Sequence, residues 1–375
     1  MTSLMVRPDA ARELQDQQVR EEIHALFRSR SGRAARYGSH VADLWQAAAE
    51  CVLGGKLLRP RLLLDALDAL RSTGARSNAV QTSAVRIAAA VEMLHYAFLL
   101  HDDVIDGDLW RRGRPNLIGT LLSQHGKGNP LPSDRGALTQ DRRRLHWARS
   151  GAILMGDLLL SEVHQVFARE HLPERIRLRL LDLLDHTITE SIAGEHLDVA
   201  LSDGMITPEF DSVLTMTRLK TASYTFELPL RAAAILAGST PRTEEVLGDV
   251  GTLLGSAFQL QDDLLSTFGE AGDHGKDAYS DLREGKETVI IAHARRTSAW
   301  PEVQPHFGNP QLSTADAVVV RHLLGECGAE EFVRSLIADQ LTAAHVLATS
   351  AESGLPAGVR SFLTTLTAMV EGRRS

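Results

Sequence analysis

The chain has 375 residues, of which 43% are hydrophobic and 23% charged, so it is long and apolar enough to bury a substantial core. Its net charge of −8, without a basic stretch interleaved with aromatic residues, excludes nucleic acid as an expected partner. Its two cysteines, Cys51 and Cys327, lie far apart. They predict neither a disulfide framework nor a zinc site and fit the cytoplasm, and no stretch approaches the ~20 apolar residues of an integral membrane segment.

Apolar residues recur at three- and four-residue steps through most of the chain, as in the series Val85, Ala88, Val91, Leu94 and Phe98. Alternating runs of β-branched residues are nearly absent, and aromatic residues make up only 5% of the chain. We therefore predict an all-α fold. The predicted helices span about 12–29, 36–53, 57–71, 80–106, 115–124, 146–170, 173–201, 208–220, 222–238, 242–267, 285–297, 313–325, 328–351 and 355–371.

Two Thr-Pro pairs predict helix starts, with Thr207 and Thr240 as N-caps and a proline at the first helical position. The chain contains no segment long or plain enough to be a domain linker, so we predict a single domain over residues 1–375. The predicted loops are 126–144, 269–285 and 300–312. The second of these is rich in glycine and is predicted to close over a bound substrate.

The sharpest pattern is an acidic cluster in the sequence HDDVIDGD, residues 101–108. Asp102 and Asp106 are four residues apart and project from one face of a helix that ends there, and Asp103 lies one position round. Like charges at this spacing repel one another, and a cation would offset that repulsion. Carboxylate oxygens suit Mg²⁺, which binds a few of them together with substrate phosphates and waters. The alternative is a solvated acidic helix end that holds no metal.

A second acidic pair, Asp262 and Asp263, closes the sequence FQLQDD and follows a largely apolar helical run. If the two helices that carry the acidic motifs are neighbours in a bundle, both pairs can hold one metal cluster. The alternative is two unrelated acidic helix caps, which is physically unfavourable because Asp near a helix C-terminus opposes the helix dipole.

Cationic side chains accompany both acidic motifs. One of them alone would be interpreted as a surface residue, but together with two metal motifs they predict a clamp for a diphosphate, which Arg binds as a fork and Lys as a point charge. These residues are Lys56, Arg59, Arg111, Arg112, Lys220, Lys276 and Lys286.

With these motifs in this order, the sequence resembles the trans-isoprenyl diphosphate synthases, also called polyprenyl synthetases. The segments that carry the resemblance are GGKLLRP (54–60), HDDVIDGDLWRRGRP (101–115) and FQLQDDLL (258–265), within a motif-bearing core of about 40–300 that C-terminal helices at 313–371 follow. The resemblance implies an isoprenoid-synthase-type helical bundle around a central substrate cavity. It further implies a Mg²⁺-dependent prenyltransferase that joins an allylic diphosphate to isopentenyl diphosphate, and a homodimer.

The resemblance also implies a role for each matching residue. The metal ligands are Asp102, Asp103 and Asp106, with Asp108 as a helper, and Asp262 and Asp263. The family often has a further acid four residues after the first position of the second motif, where this chain has Ser266. The residues for isopentenyl diphosphate are Lys56, Arg59, His95 and Arg112. Those for the allylic diphosphate are Arg111, Lys220, Thr221, Gln259 and Lys276, with Lys286 in the same clamp. The catalytic set is Asp102, Asp103, Asp106, Lys220, Asp262 and Asp263.

Product length is predicted from two residues before the first motif. Phe98 lies four residues before Asp102 on the same helical stripe, about 6 Å along the axis, and Ala97 is its small neighbour. In the family, bulk at these positions limits the product. One large and one small residue favour a short product, geranylgeranyl diphosphate first and farnesyl diphosphate next, with a longer polyprenyl diphosphate as an alternative. Phe98 as ordinary core remains open.

Two other classes of function remain as rivals. A class I terpene cyclase would share the helical fold and a DDxxD motif, but it predicts a different second metal motif and gives no role to Lys56 and Arg59. A catalytically silent partner subunit of another synthase predicts the loss of an aspartate or of a clamp residue, and apart from Ser266 none is lost here.

Overall fold

Helices form most of the chain in the computed structural model, which describes residues 9–71, 78–125, 137–269 and 279–373. The elements of the first half are α1 (Asp9–Ala34), α2 (Ser39–Val52), α3 (Leu58–Leu70), α4 (Asn78–Ile105), β1 (Trp110–Arg111), β2 (Arg114–Pro115), α5 (Leu117–His125) and α6 (Ala137–Arg169), with a 3₁₀ turn at Ala35–Tyr37. The elements of the second half are α7 (Glu174–Ser202), α8 (Phe210–Thr217), a π-helix (Arg218–Glu227), α9 (Leu228–Ala237), α10 (Pro241–Phe268), α11 (Ser280–Glu284), α12 (Val289–Ala294), α13 (Trp300–Val303), α14 (Thr314–Glu326), α15 (Ala329–Thr349) and α16 (Ala357–Glu371), with a 3₁₀ turn at Ala351–Ser353. The all-α prediction is confirmed, since the described strands are a single two-residue antiparallel pair.

The chain divides into two compact units. Among the described residues, the N-terminal unit comprises those within 9–61 and 78–173, and the C-terminal unit comprises those within 62–71 and 174–373. The predicted single domain and its central substrate cavity stay predictions.

Helix α4 is the core helix of the N-terminal unit, where it packs against α1 and α6. Its length and apolar composition would allow it to cross a membrane, but 83% of its most apolar window is buried inside the protein, as expected for a core helix. Helix α6 approaches its C-terminal end closely at Gly156, where an added Cβ would lie 2.6 Å from the His101 ring. Only glycine fits there without a shift, so the end of α4 is held against α6 directly before the first aspartate motif.

A π-helix interrupts the long helical run of the C-terminal unit between α8 and α9. Pro229, at the start of α9, has no N–H to donate to the preceding turn, which weakens the ordinary α-helical pattern there. Three glycines, one on α7 and two on α10, leave room for the backbone of the π-helix. A Cβ added at Gly194 would lie 2.3 Å from the Lys220 backbone nitrogen. A Cβ added at Gly251 would lie 2.9 Å from the Glu227 Cα, and one added at Gly255 would lie 2.6 Å from the Ala222 Cα. The π-helix is therefore fixed by close packing, and it carries Lys220 and Thr221.

All three predicted loops contain helix; in the third, predicted at 300–312, α13 occupies Trp300–Val303, so the prediction for those four residues is wrong. Residues 126–136 of the first loop lie outside the described residues, but α6 begins at Ala137, so the prediction for 137–144 is wrong. This stretch lacks apolar periodicity because its residues 141–143 are exposed, and it continues a helix that is stabilised by the buried residues further along. In the second loop, residues 270–278 lie outside the described residues, and α11 forms directly after them; the predicted loop closure stays a prediction.

The two predicted N-caps have opposite outcomes. The Thr240 side chain accepts a hydrogen bond from the Thr243 nitrogen at 3.2 Å, as predicted. The Thr207 prediction is wrong, because α8 begins at Phe210 and Glu209 is its N-cap residue, without a side-chain capping bond.

Candidate active site

The first aspartate motif lies at the C-terminal end of α4. Asp102 and Asp103 are in the last turn, and Asp106 follows the helix, with its backbone nitrogen donating to the Asp102 carbonyl at 2.8 Å. Gly107, with a φ of +76°, turns the chain away. Carboxylates in this place oppose the helix dipole, so the arrangement is unfavourable unless cations lie nearby.

Arg111 is the nearest described cation. Its Nη2 donates to Asp102 Oδ2 at 2.9 Å and to Asp103 Oδ1 at 2.6 Å. It comes from the β1–β2 hairpin, whose two turn residues, Arg112 and Gly113, both have positive φ, as primed hairpin turns require. Asp103 is only 3% exposed. Burial raises the pKa of Asp103 to about 6, although Arg111 acts in the opposite direction.

The cationic GGKLLRP segment lies in the same N-terminal unit. Lys56 is exposed, and Arg59 is half-buried in the first turn of α3. Leu57 lies between them, buried at 1% exposure with a φ of +53°. This backbone region is unfavourable for a branched apolar residue. His95 on α4 is buried, and burial together with the charges of Arg59 and Arg112 holds its pKa well below the ordinary value. His95 is therefore neutral at pH 7.

Lys220 lies in the π-helix and pairs with two carboxylates of α7. Its Nζ lies 2.5 Å from Asp198 Oδ2 and 3.0 Å from Glu195 Oε2. Asp198 is 5% exposed, so this ammonium group offsets the charge of a buried acid. Thr221 is buried beside it.

The second aspartate motif lies within α10, before its last turn and not at its end. Asp263 is 8% exposed, and Gln259 Nε2 donates to its Oδ1 at 2.9 Å. Burial raises the pKa of Asp263 to about 8; the charges of Asp281 and Asp262 add to this effect, and the Gln259 hydrogen bond and Lys286 oppose it. Lys286 therefore lies within electrostatic reach of Asp263, and its role in a diphosphate clamp stays a prediction. Lys276 lies outside the described residues.

Asp262 pairs with a residue near the end of the chain. Arg373 Nη2 donates to Asp262 Oδ1 at 2.5 Å, and its guanidinium lies 3.9 Å from the centre of the Phe258 ring. Ser266 is half-buried on the same helix. A cavity of about 630 Å³ opens beside Arg373 between α10, α15 and α16, and no predicted site residue lines it.

The two residues assigned to product length lie on α4, one turn before the first motif. Ala97 is fully buried and Phe98 is half-buried. Their place on the helix agrees with the sequence interpretation, and their role stays a prediction.

Both motifs fit a hard divalent cation. All of their ligand atoms are carboxylate oxygens, the donors that Mg²⁺ prefers. Each motif buries one acid, Asp103 or Asp263, whose pKa is raised by the surroundings. A cation bound there would offset the desolvation and mutual repulsion of these acids.

A further group, His186, Glu190 and Glu227, has metal-like spacing, with ligand atoms within 4.8 Å of one another. Arg231 Nη1 donates to Glu227 at 2.8 Å, and Ser223 Oγ donates to Glu190 at 2.6 Å. These carboxylates already have partners, so we interpret the group as an ion-pair cluster.

The sequence analysis did not single out five residues that contact, or act electrostatically on, the predicted site residues. Asp281, in α11, is a third carboxylate near Asp263 and acts on its pKa. The others are Glu195 and Asp198, whose three-residue spacing on α7 was an available signal, Arg373, and Glu92 on α4.

Comparisons with known proteins give a family match and several relatives. A model of the family described as polyprenyl synthetase matches residues 42–311. The chain is 30% identical over 296 residues to the geranylgeranyl diphosphate synthase of Methanosarcina mazei, covering 78% of this chain and 79% of the relative. It is 30% identical over 294 residues to the octaprenyl diphosphate synthase of Escherichia coli, covering 75% of each.

The fold is similar to a solved geranylgeranyl pyrophosphate synthase of Corynebacterium glutamicum, complexed with isoprenyl diphosphate and magnesium. The TM-score is 0.84 at 28% identity, over 96% of this chain and 99% of the other. These relatives are named for products of different length, so they do not by themselves specify the product of this chain.

Proposed function

The chain belongs to the polyprenyl synthetase family, and we propose that it is a Mg²⁺-dependent prenyltransferase. It joins an allylic diphosphate to isopentenyl diphosphate, releases diphosphate and makes a linear (E)-prenyl diphosphate. The observation that carries this proposal is that each aspartate motif buries a carboxylate, Asp103 or Asp263, whose pKa is raised. A protein keeps such acids more easily where they bind a cation.

The proposed roles follow the two substrates. Isopentenyl diphosphate is bound by Lys56, Arg59, His95 and Arg112. The diphosphate of the allylic substrate is bound by Arg111, Lys220, Thr221, Gln259, Lys276 and Lys286. The metal is held by Asp102, Asp103, Asp106, Asp262 and Asp263, and Asp281 is near enough to Asp263 to support it.

The proposed reaction begins when the allylic C–O bond breaks and its electron pair leaves with the diphosphate. Mg²⁺ held by the aspartates of both motifs would supply Lewis-acid stabilisation of that leaving group. Arg111 and Lys220 add fixed positive charge to its oxygens. The double bond of isopentenyl diphosphate then attacks the allylic cation, and the adduct loses a proton to the released diphosphate. No protein base is assigned.

We favour geranylgeranyl diphosphate as the product. The growing chain would run from Asp102 along α4, where Phe98 is the first bulky side chain one turn away. A half-buried phenyl group there would limit elongation, whereas Ala97 leaves room. Farnesyl diphosphate and longer polyprenyl diphosphates are the other outcomes of product analysis.

We also propose a homodimer in the cytoplasm. Helix α6 carries an exposed apolar row, with Trp147 41%, Leu154 58% and Leu158 39% exposed. Such a row on one helix favours an interface between copies. Both cysteines are free thiols, as suits a reducing compartment.

The test is incubation of the purified protein with labelled isopentenyl diphosphate and, in turn, dimethylallyl, geranyl and farnesyl diphosphate. We expect Mg²⁺-dependent incorporation of the label, loss of activity with EDTA, and a C20 product. Conversion of an allylic diphosphate without consumption of isopentenyl diphosphate would instead identify a terpene cyclase. Complete inactivity with every primer would favour the silent partner subunit.

A further inference from the structure

A buried carboxylate outside the predicted site lies among arginines in the N-terminal unit. Glu92, on α4, is 4% exposed, and its buried Oε2 has no hydrogen-bond partner among the described residues. A buried charge persists only where other charges offset the loss of its hydration. No step of the proposed reaction uses this side chain.

Three arginines supply that offset. Burial raises the pKa of Glu92, and the charges of Arg59, Arg112 and Arg20 each lower it. Arg20 is also tied to the chain just before the GGKLLRP segment, since its Nη1 donates to the Leu53 carbonyl at 3.4 Å. Arg59 and Arg112 act on one another with like charge, and the negative charge of Glu92 acts favourably on both of them.

Glu92 and Arg112 both approach the backbone of Gly55 closely. A Cβ added to Gly55 would lie 3.1 Å from Glu92 Oε1 and 3.1 Å from Arg112 Nη1. The carboxylate and the guanidinium therefore both lie close to the Gly55 backbone, where a side chain would crowd them.

Arg112 in this cluster and Leu57 beside it both have unfavourable, left-handed backbone conformations. Leu57 has a φ of +53° and Arg112 a φ of +54°, and neither is glycine. Such conformations persist only when surrounding contacts hold them, and they concentrate at functional sites. They belong to the two segments that present Arg59 and Arg112.

We propose that Glu92 is a positioning residue that holds Arg59 and Arg112 in place for the diphosphate of isopentenyl diphosphate. In the empty enzyme its carboxylate offsets the repulsion between the two guanidinium groups. One negative charge against two positive ones leaves the site cationic, so it still attracts the substrate. This inference rests on the proposed function, because it assigns the arginine pair to that substrate.

The test is steady-state kinetics of Glu92→Gln, which keeps the shape of the side chain and removes its charge. We expect KM for isopentenyl diphosphate to rise about tenfold or more, equivalent to about 1.4 kcal/mol of binding. KM for the allylic substrate and kcat at saturation should stay within about threefold, because the lost contact binds ground state and transition state equally. Glu92→Asp, which keeps the charge, should restore part of the affinity.

Direct binding gives a readout without turnover. Isothermal titration with isopentenyl diphosphate alone should show the same loss of affinity in Glu92→Gln. Gly55→Ala should reproduce it by displacing both Glu92 and Arg112, and it decides the question if Glu92→Gln does not fold. Glu162→Gln is the matched control: Glu162 is an 8%-exposed acid of the same unit, paired with Arg30. Loss of the Glu162 charge should lower Tm and leave the KM values for both substrates unchanged.

Unchanged affinity for isopentenyl diphosphate in folded Glu92→Gln and Gly55→Ala would overturn the inference. The inference would also be overturned if both KM values rose and kcat fell by similar factors in parallel with a fall in Tm. That result would mean that Glu92 has a structural role only. If the wild-type protein consumed no isopentenyl diphosphate, the proposed function would fail and this inference with it. An active wild type with an unaffected Glu92→Gln removes the inference alone.

Discussion

Replacing Asp263 by Asn should stabilise the metal-free protein at high pH while removing its metal-dependent activity. Asp263 is 8% exposed, and burial with the nearby Asp281 raises its pKa from 3.8 to about 8. The folded state therefore binds a proton that the unfolded state has released between these two pH values. The stability that this group contributes is fully present below pH 4 and is lost as the pH rises to about 8.

The size of the effect follows from the pKa values. Each pKa unit corresponds to about 1.4 kcal/mol, so a rise from 3.8 to about 8 gives an upper bound of about 6 kcal/mol. Relaxation around the ionised group reduces this figure, and we expect Asp263→Asn to exceed the wild type by about 2–6 kcal/mol at pH 9. At pH 5, about one unit above 3.8, the difference should be at most about 2 kcal/mol, because Asn resembles the protonated acid and can still accept the Gln259 hydrogen bond.

The assay is urea unfolding followed by circular dichroism, with EDTA, at pH 5, 7 and 9. Groups that do not interact with Asp263 titrate alike in both proteins and cancel in the difference. Asp249→Asn, an exposed substitution on the same helix, should change stability by less than about 0.5 kcal/mol at every pH. A difference between Asp263→Asn and wild type that is flat from pH 5 to 9, or that favours the wild type at pH 9, would refute the reasoning.

Three further substitutions test separate parts of the account. Phe98→Ala should lengthen the product by removing the first bulky side chain below the first motif, as chromatography of the extracted prenyl diphosphates would reveal. Leu154→Glu should dissociate the proposed dimer, measured by light scattering during size-exclusion chromatography, because it places a charge in the exposed apolar row of α6. Lys220→Met should lower kcat about 100-fold or more and destabilise the fold by about 1–3 kcal/mol, because it leaves Asp198 buried without its cation.

Matched substitutions separate these effects from general damage. Phe27→Ala removes a fully buried ring elsewhere in the N-terminal unit and should lower stability without changing the product. Val346→Glu alters an exposed apolar residue of α15 and should leave the oligomeric state unchanged. Arg242→Met removes an exposed cation paired with Glu245 and should leave kcat unchanged. If Phe98→Ala leaves the product length unaltered, Phe98 does not limit the product. If Leu154→Glu leaves the molecular mass in solution unaltered, α6 does not form the dimer interface. If Lys220→Met leaves kcat unaltered, Lys220 has no catalytic role.

The sequence predicted the elements that apolar periodicity specifies. Helix α4 was predicted at 80–106 and spans Asn78–Ile105, because its buried residues recur at helical steps up to Asp102. The Thr240 cap was predicted because a threonine side chain before a proline is a local signal. The extension of α6 to Ala137 was missed because exposed arginines carry no periodicity.

The remaining features depend on contacts between distant segments. The π-helix forms where Gly194 of α7 lies against the Lys220 backbone, and no local pattern at 218–227 announces this approach. Glu92 is one acid on an apolar helix, and its proposed role depends on arginines that come from three other segments of the chain. The pairing of Arg373 with Asp262 joins residues 111 positions apart, and neither residue predicts the other.

The central proposal is that both aspartate motifs are needed to bind one Mg²⁺–diphosphate group. The direct test is titration of a non-ionising thio analogue of the allylic diphosphate into wild type, Asp102→Ala, Asp262→Ala and the double variant, with Mg²⁺ or EDTA. The account predicts Mg²⁺-dependent binding that each single substitution weakens about 100-fold or more, with little further loss in the double variant, because the motifs act as a unit. Wild-type affinity in either single variant, or losses that simply add in the double variant, would contradict it.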